Sequence, residues 1–191
     1  MTSLIALCLL APSASDYFPL QPGTRWHYRE EGSGAELVDS VEAAVEIRGF
    51  KATPILSEGK FSTYFVVDGD TVYRVASDPK YPLEPPMPVL KVGERKMEWT
   101  YDSFNSSPPI RMKCTSEPKG QRDVLGKKVA VIEVRTDATF GDPKRGMKSR
   151  QVALYGEGLG LVHLTEELTL GKENHKRSME LVKFEPAAVG P

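Results

Sequence analysis

Phe61-Ser62-Thr63-Tyr64-Phe65-Val66-Val67-Asp68-Gly69-Asp70-Thr71-Val72-Tyr73-Arg74-Val75 holds two runs of β-branched and aromatic residues split by the triplet Asp68-Gly69-Asp70. Such residues suit a pleated, half-buried surface, and a Gly flanked by two acids is a tight-turn signal, so the stretch reads as a β-hairpin. The reading extends both ways along the chain. From about Arg25 onward apolar residues recur mainly at every second position, the period that sends alternate side chains to opposite faces of a strand. Trp26 and Tyr28 share one face, as do Val41, Ala43, Val45 and Ile47. Further strands are expected over Met97 to Tyr101, Ile110 to Cys114, Val129 to Val134, Gln151 to Tyr155, Leu159 to Leu168 and Ser178 to Phe184. Turn residues separate them at Gly32-Ser33-Gly34, Ser57-Glu58-Gly59-Lys60, Gly141-Asp142-Pro143 and Gly171-Lys172-Glu173-Asn174. The fold class is therefore mainly β: an antiparallel curved sheet, half-barrel or barrel-like, with at most one short helix. Leu37, Val41, Ala44 and Val45 also fit a helical face within Ala35 to Ile47, so that segment reads as a strand or as a helix covering the mouth of the sheet.

Three stretches recur in the same order, the mark of an internal duplication. Gly23 with Trp26 and Tyr28 is echoed by Gly93 with Trp99 and Tyr101. Arg48 to Ile55 resembles Leu125 to Ile132, and Phe65 to Val75 resembles Leu154 to Leu164. The organisation expected is a leader over 1–15 and a single β domain over 16–191. Within that domain, repeat halves 16–78 and 89–186 would be joined by a Pro-rich connector, 79–88, stiff because Pro fixes φ and cannot donate to a ladder.

The leader reading rests on the apolar run Leu4 to Ala11, too short to cross a bilayer, followed by Pro12-Ser13-Ala14-Ser15. Small residues permit cleavage after Ser13 or after Ser15, although Met1-Thr2-Ser3 has no basic side chain. Leu7 before Cys8 argues against a lipid anchor. The expected location is outside the cytoplasm, periplasmic or extracellular, with no membrane span in the mature form. Without the leader Cys114 is the only cysteine, so no internal disulfide can form, and with no base beside it the thiol reads as a small buried strand residue.

The chemistry-bearing signals are few. The 25 basic and 26 acidic residues are spread along the chain, so no field of one sign is offered to phosphates and nucleic acid is not an expected partner. His27, His163 and His175 lack ligand spacing, and neither a Gly-x-Ser-x-Gly elbow nor a Ser-x-x-Lys is present; no catalytic, cofactor or metal residues are assigned. Gly156-Glu157-Gly158-Leu159-Gly160 precedes a strand rather than a helix and reads as a tight hairpin. Lys144, Arg145, Lys148 and Arg150 form a basic stretch at a hairpin tip. Trp26 with Tyr28 and Trp99 with Tyr101 each occupy i and i+2 and so project from one face, which makes them the candidate ligand-facing aromatics or else core packing.

Tyr17-Phe18-Pro19-Leu20, Gly23, Trp26-His27-Tyr28 and the late Tyr155-Gly156-Glu157-Gly158-Leu159-Gly160-Leu161-Val162 together resemble a pattern of bacterial secreted or lipoprotein-like β proteins of unknown function. Some of these are similar in architecture to periplasmic carriers of lipoproteins, whose curved sheet has an apolar concave face. That likeness is one of fold; export, β architecture, interior-type aromatics and missing catalytic motifs together lead to the expectation of a non-enzymatic envelope protein that binds a lipid, another apolar ligand or a partner's apolar segment. The alternatives are an envelope-assembly interaction module without an internal pocket and, more remotely, a hydrolase with a dispersed site. The resemblance also requires either that Ala35 to Ile47 cover the concavity or that the sheet close on itself.

Overall fold

The computed structural model describes residues 12–103, 106–142 and 144–188. After a single turn of helix, α1 (Ala14–Tyr17), the chain forms strands β1 (Arg25–Glu30), β2 (Glu36–Val41), β3 (Val45–Ile47), β4 (Phe50–Ser57), β5 (Phe61–Asp68), β6 (Thr71–Ala76) and β7 (Pro82–Lys91). It continues through β8 (Met97–Ser103), β9 (Ile110–Val124), β10 (Lys127–Phe140), β11 (Met147–Gly156), β12 (Gly160–Leu170) and β13 (Glu173–Glu185). All pairings are antiparallel, and the sheet order is β7-β6-β5-β4-β2-β1-β13-β12-β11-β10-β9-β8. It is a nearly closed, barrel-like sheet. The segment 35–47 holds two strands and no helix: β2 and β3 both pair with β4, and the backbone of Glu42 donates to Pro54 O at the break between them.

Two meanders meet back to back. Each contributes six consecutive strands of that order, β1 to β7 with β3 set aside and β8 to β13. The three recurring stretches fall on strands of equal rank: β1 with β8, β4 with β10, and β5–β6 with β11–β12. The expected connector needs correction. Residues 82–91 are β7, paired with β6, and the prolines are accommodated because β7 is a sheet edge, where a missing N–H costs no ladder bond.

The meanders join differently on their two sides. β1 and β13 share a ladder from Arg25↔Glu185 to Glu30↔Met179. No ladder joins β7 to β8 among the described residues; side chains do the work. Trp99, Tyr101 and Ser103 alternate on the buried face of β8, and each donates to a β7 carbonyl: Trp99 Nε1 to Pro88 O at 3.2 Å, Tyr101 Oη to Pro85 O at 2.9 Å and Ser103 Oγ to Glu84 O at 3.4 Å. Ser116 Oγ on β9 reaches Lys91 O. A Pro-rich edge lacks donors but keeps its carbonyls, so a neighbour that supplies only donors completes the closure.

One end of the barrel is stoppered by the N-terminal segment. Ser13 and Asp16 form a capping box on α1, the Ala14 amide donates to Gly69 O at 3.3 Å, and the Gly158 amide donates to Asp16 O. Ala14 is wholly buried, and Tyr17 and Phe18 nearly so. Most of the expected leader lies outside the described residues, but its last residues, Ser13 to Ser15, belong to this stopper. Cys114 is buried on β9, where Thr136 Oγ1 donates to its sulfur at 3.6 Å and burial pushes the thiol pKa up.

Candidate functional site

Strand alternation turns one residue in two toward the barrel axis, and the cross-strand registers gather these into rows. Trp26 on β1 stands opposite Asp39 on β2, and Asp39 opposite Ser57 on β4. Phe65, Arg74 and Met87 form a second row across β5, β6 and β7. In the other meander Cys114, Thr136, Gln151, Glu166 and Arg177 run in one row from β9 to β13. Between the meanders lies an interior cavity of about 370 Å³, within the usual range of small-molecule sites. Its walls include Phe18, Trp26, Tyr28, Phe65, Tyr155 and Leu164. Phe18 closes one end, its ring 5.1 Å from Phe65 and 6.0 Å from Tyr155 between centroids. Burial pushes the Tyr28 phenol well up and Tyr155 to about 12, so both stay neutral. A smaller lobe of about 210 Å³, reaching Leu83, Ile110 and Phe140, shares Arg74, Met87, Met112, Thr136 and Gln151 with the first.

The polar groups at the wall and behind it differ in how they are satisfied. Glu166, 8% exposed, accepts from Arg177 Nε at 2.7 Å, from Ser149 Oγ at 3.4 Å and from Gln151 Nε2. Asp39 accepts from Ser57, yet burial holds its carboxyl above the usual range. Arg74 donates through Nη2 to Ser77 Oγ, but its buried Nε–H has no acceptor. Burial also holds this guanidinium below its ordinary pKa.

The four aromatics expected to face a ligand divide two and two. Trp26 and Tyr28 line the cavity. Trp26 is also fixed by its turn: Nε1 donates to Leu159 O, and a Cβ on Gly160, at φ +80°, would lie 3.0 Å from that nitrogen. The glycine-rich stretch 156–160 is thus the tight β11–β12 hairpin, and Gly160 is required both by its backbone angle and by the indole against it. Trp99 and Tyr101 do not line the cavity, because β7 covers the face from which they project. Sequence reasoning passed over Arg74, Asp39 and Phe18. For Arg74 the signal was present: a lone cation inside Thr71-Val72-Tyr73-Arg74-Val75, a strand whose flanking residues are buried on both faces.

The three histidines are dispersed, His27 beside Glu185 at 3.4 Å, His163 beside Ser178 at 3.3 Å and His175 beside Glu173 at 3.7 Å. A wider space of about 670 Å³ lies on the outside, walled by exposed charges such as Asp102, Lys113, Asp137 and Arg150. Arg150 of the basic stretch pairs there with Asp137 at 3.0 Å, which makes this a solvated surface trough.

No protein-family model matches the chain, and no curated protein sequence matches it. Two solved structures are similar to it. One is a candidate lipoprotein from Parabacteroides distasonis, at 9% identity and TM-score 0.42, covering 88% of this chain and 98% of its own. The other is a candidate exported protein with a YmcC-like fold from Bacteroides fragilis, at 13% identity and TM-score 0.38, covering 89% and 99%. At such distance the likeness carries nothing about function.

Proposed function

We propose that this is an exported, non-enzymatic envelope protein that holds an apolar ligand inside its barrel. The observation that carries the reading is the interior cavity of about 370 Å³ walled by aromatic and aliphatic side chains from both meanders. A core built only for stability is packed without such a void, because unfilled space forfeits contacts on every side. Export is supported by the apolar run Leu4 to Ala11 with its small-residue exit. Of the two exits, the one after Ser13 retains Ala14, whose nitrogen can keep donating to Gly69 O, whereas the one after Ser15 removes a wholly buried residue. Native mass spectrometry and solvent extraction of protein purified from its own compartment test both points. The expected result is a chain beginning no later than Ala14 and an amphiphile at about one per barrel. A barrel that arrives empty and bound to a stoichiometric protein partner would replace the carrier reading with that of an interaction module.

A further inference from the structure

The cavity wall contains a buried N–H of a cation with no acceptor among the described residues. Arg74 stands between Phe65 and Met87 and borders both lobes, at the junction between the aromatic chamber and the smaller space beyond it. Its Nη2 is engaged by Ser77, while its Nε–H is buried without an acceptor. Among the described residues no carboxylate pairs with it. Glu166 is held by Arg177 and Gln151, and Asp39 takes the Ser57 hydroxyl and contributes nothing resolved to the charge balance at Arg74. A buried donor left unmet is costly, and a guanidinium without a counter-ion more so, so an arginine is kept in such a place where something that enters completes it.

We infer that the cavity takes an amphiphile with a single carboxylate head, which meets the Arg74 guanidinium while its hydrocarbon tail lies among the aromatic rings. The oxygen of a neutral lipid can accept from the Nε–H but leaves the guanidinium charge without a counter-ion, and a dianionic phosphate would bring two charges to one cation. The fork of a guanidinium matches a carboxylate in shape as well as in charge. Depressed by burial, the Arg74 pKa would recover as the anion arrives.

The inference rests on the apolar-ligand reading, and the test separates the two. Decanoate and decan-1-ol are titrated into the full barrel by calorimetry, with Arg74→Gln and Arg74→Lys alongside. Decanoate should bind the unaltered protein at least about tenfold more tightly than decan-1-ol, the scale of one hydrogen bond to a charged group. Arg74→Gln should erase that preference and leave the alcohol's affinity nearly unchanged, with Arg74→Lys intermediate. Equal affinities for acid and alcohol in the unaltered protein overturn the carboxylate assignment while leaving a carrier of neutral ligands, and that comparison holds even if Arg74→Gln does not fold. A preference that survives in Arg74→Gln overturns it too. Binding of neither compound removes the apolar-ligand reading and this inference with it.

Discussion

In the meander β8 to β13 strands run up to 15 residues, and the inner-face acid Glu166 has three donors on it. In β1 to β7 no strand exceeds 10 residues, and the inner face carries Asp39 and Arg74 without ionic partners. The topologies correspond strand for strand, so chain path does not explain the contrast. The side chains do: one meander pairs the charge on its inner face internally, and the other carries two buried charged groups with no ionic partner among the described residues. The joints follow the same division, since β1 enters a full ladder with β13 whereas β7, laddered to β6 on one side, meets β8 and β9 on the other through side-chain donors.

The largest expected effect tests the joints. Trp26→Ala removes an indole that is 3% exposed, hydrogen-bonded to Leu159 O and flanked by ladders on both sides, in a region that cannot collapse. It should cost about 3 to 5 kcal/mol in urea unfolding. Trp99→Ala, at a joint free to shift, should cost about 3 kcal/mol or less. A Trp99→Ala loss equal to that of Trp26→Ala would show that the side-chain joint is as rigid as the ladder. Next, Glu166→Gln keeps the shape of the side chain but removes the charge that Arg177 and Gln151 address. It should cost about 1.5 to 3 kcal/mol, toward the low end because Arg177 is half in solvent. A neutral result would mean that the second meander is not the self-satisfied one.

How much of this was legible in the sequence differs between the meanders for a physical reason. Period-two patterning located most strands in both, because burial of one sheet face imposes it, and it found the 151–155 and 159–168 runs to within a few residues; β4 was not among the expected strands, and β9 was expected to end at Cys114 where it runs to Val124. Strand β7 escaped because Pro82, Pro85, Pro86 and Pro88 mark it as a spacer by every local rule; only the sheet order reveals an edge that needs carbonyls rather than donors. The two aromatic pairs looked equivalent, and nothing in their spacing says that β7 lies over Trp99 and Tyr101 while Trp26 and Tyr28 stay open to the cavity. Helix α1 straddles the end of the expected leader, and its four residues are too few for any periodicity.

A smaller effect probes the side-chain joint alone. Trp99→Phe keeps an aromatic ring but trims the indole and deletes the N–H that reaches Pro88 O, so it should cost at least the roughly 0.5 to 1.5 kcal/mol of one hydrogen bond. Hydrogen exchange should show the consequence unevenly, with faster exchange at Val89 and Leu90 on β7 and none at Tyr28 on β1. Acceleration spread equally over both joints would show that they open as one unit, and the contrast between them would fail.

The smallest effect carries the opposite sign to that of Glu166→Gln, although the chemical change is the same. Burial raises the folded-state pKa of Asp39 above its unfolded value, so the folded protein binds the proton more tightly than the unfolded chain does. Stability from this group is therefore greatest at acid pH, falls as pH rises from the unfolded value of about 3.9 to the folded one, and is lowest above that window. Asp39→Asn removes the charge whose desolvation causes the loss while keeping an acceptor for Ser57. The variant should melt slightly above the unaltered protein at pH 7, and the gain should shrink to nothing as the buffer approaches pH 4. A melting temperature lowered at pH 7, or a gain that persists in acid, would place Asp39 among the satisfied groups with Glu166. Arg74 would then be the single incomplete residue on the inner face of the first meander.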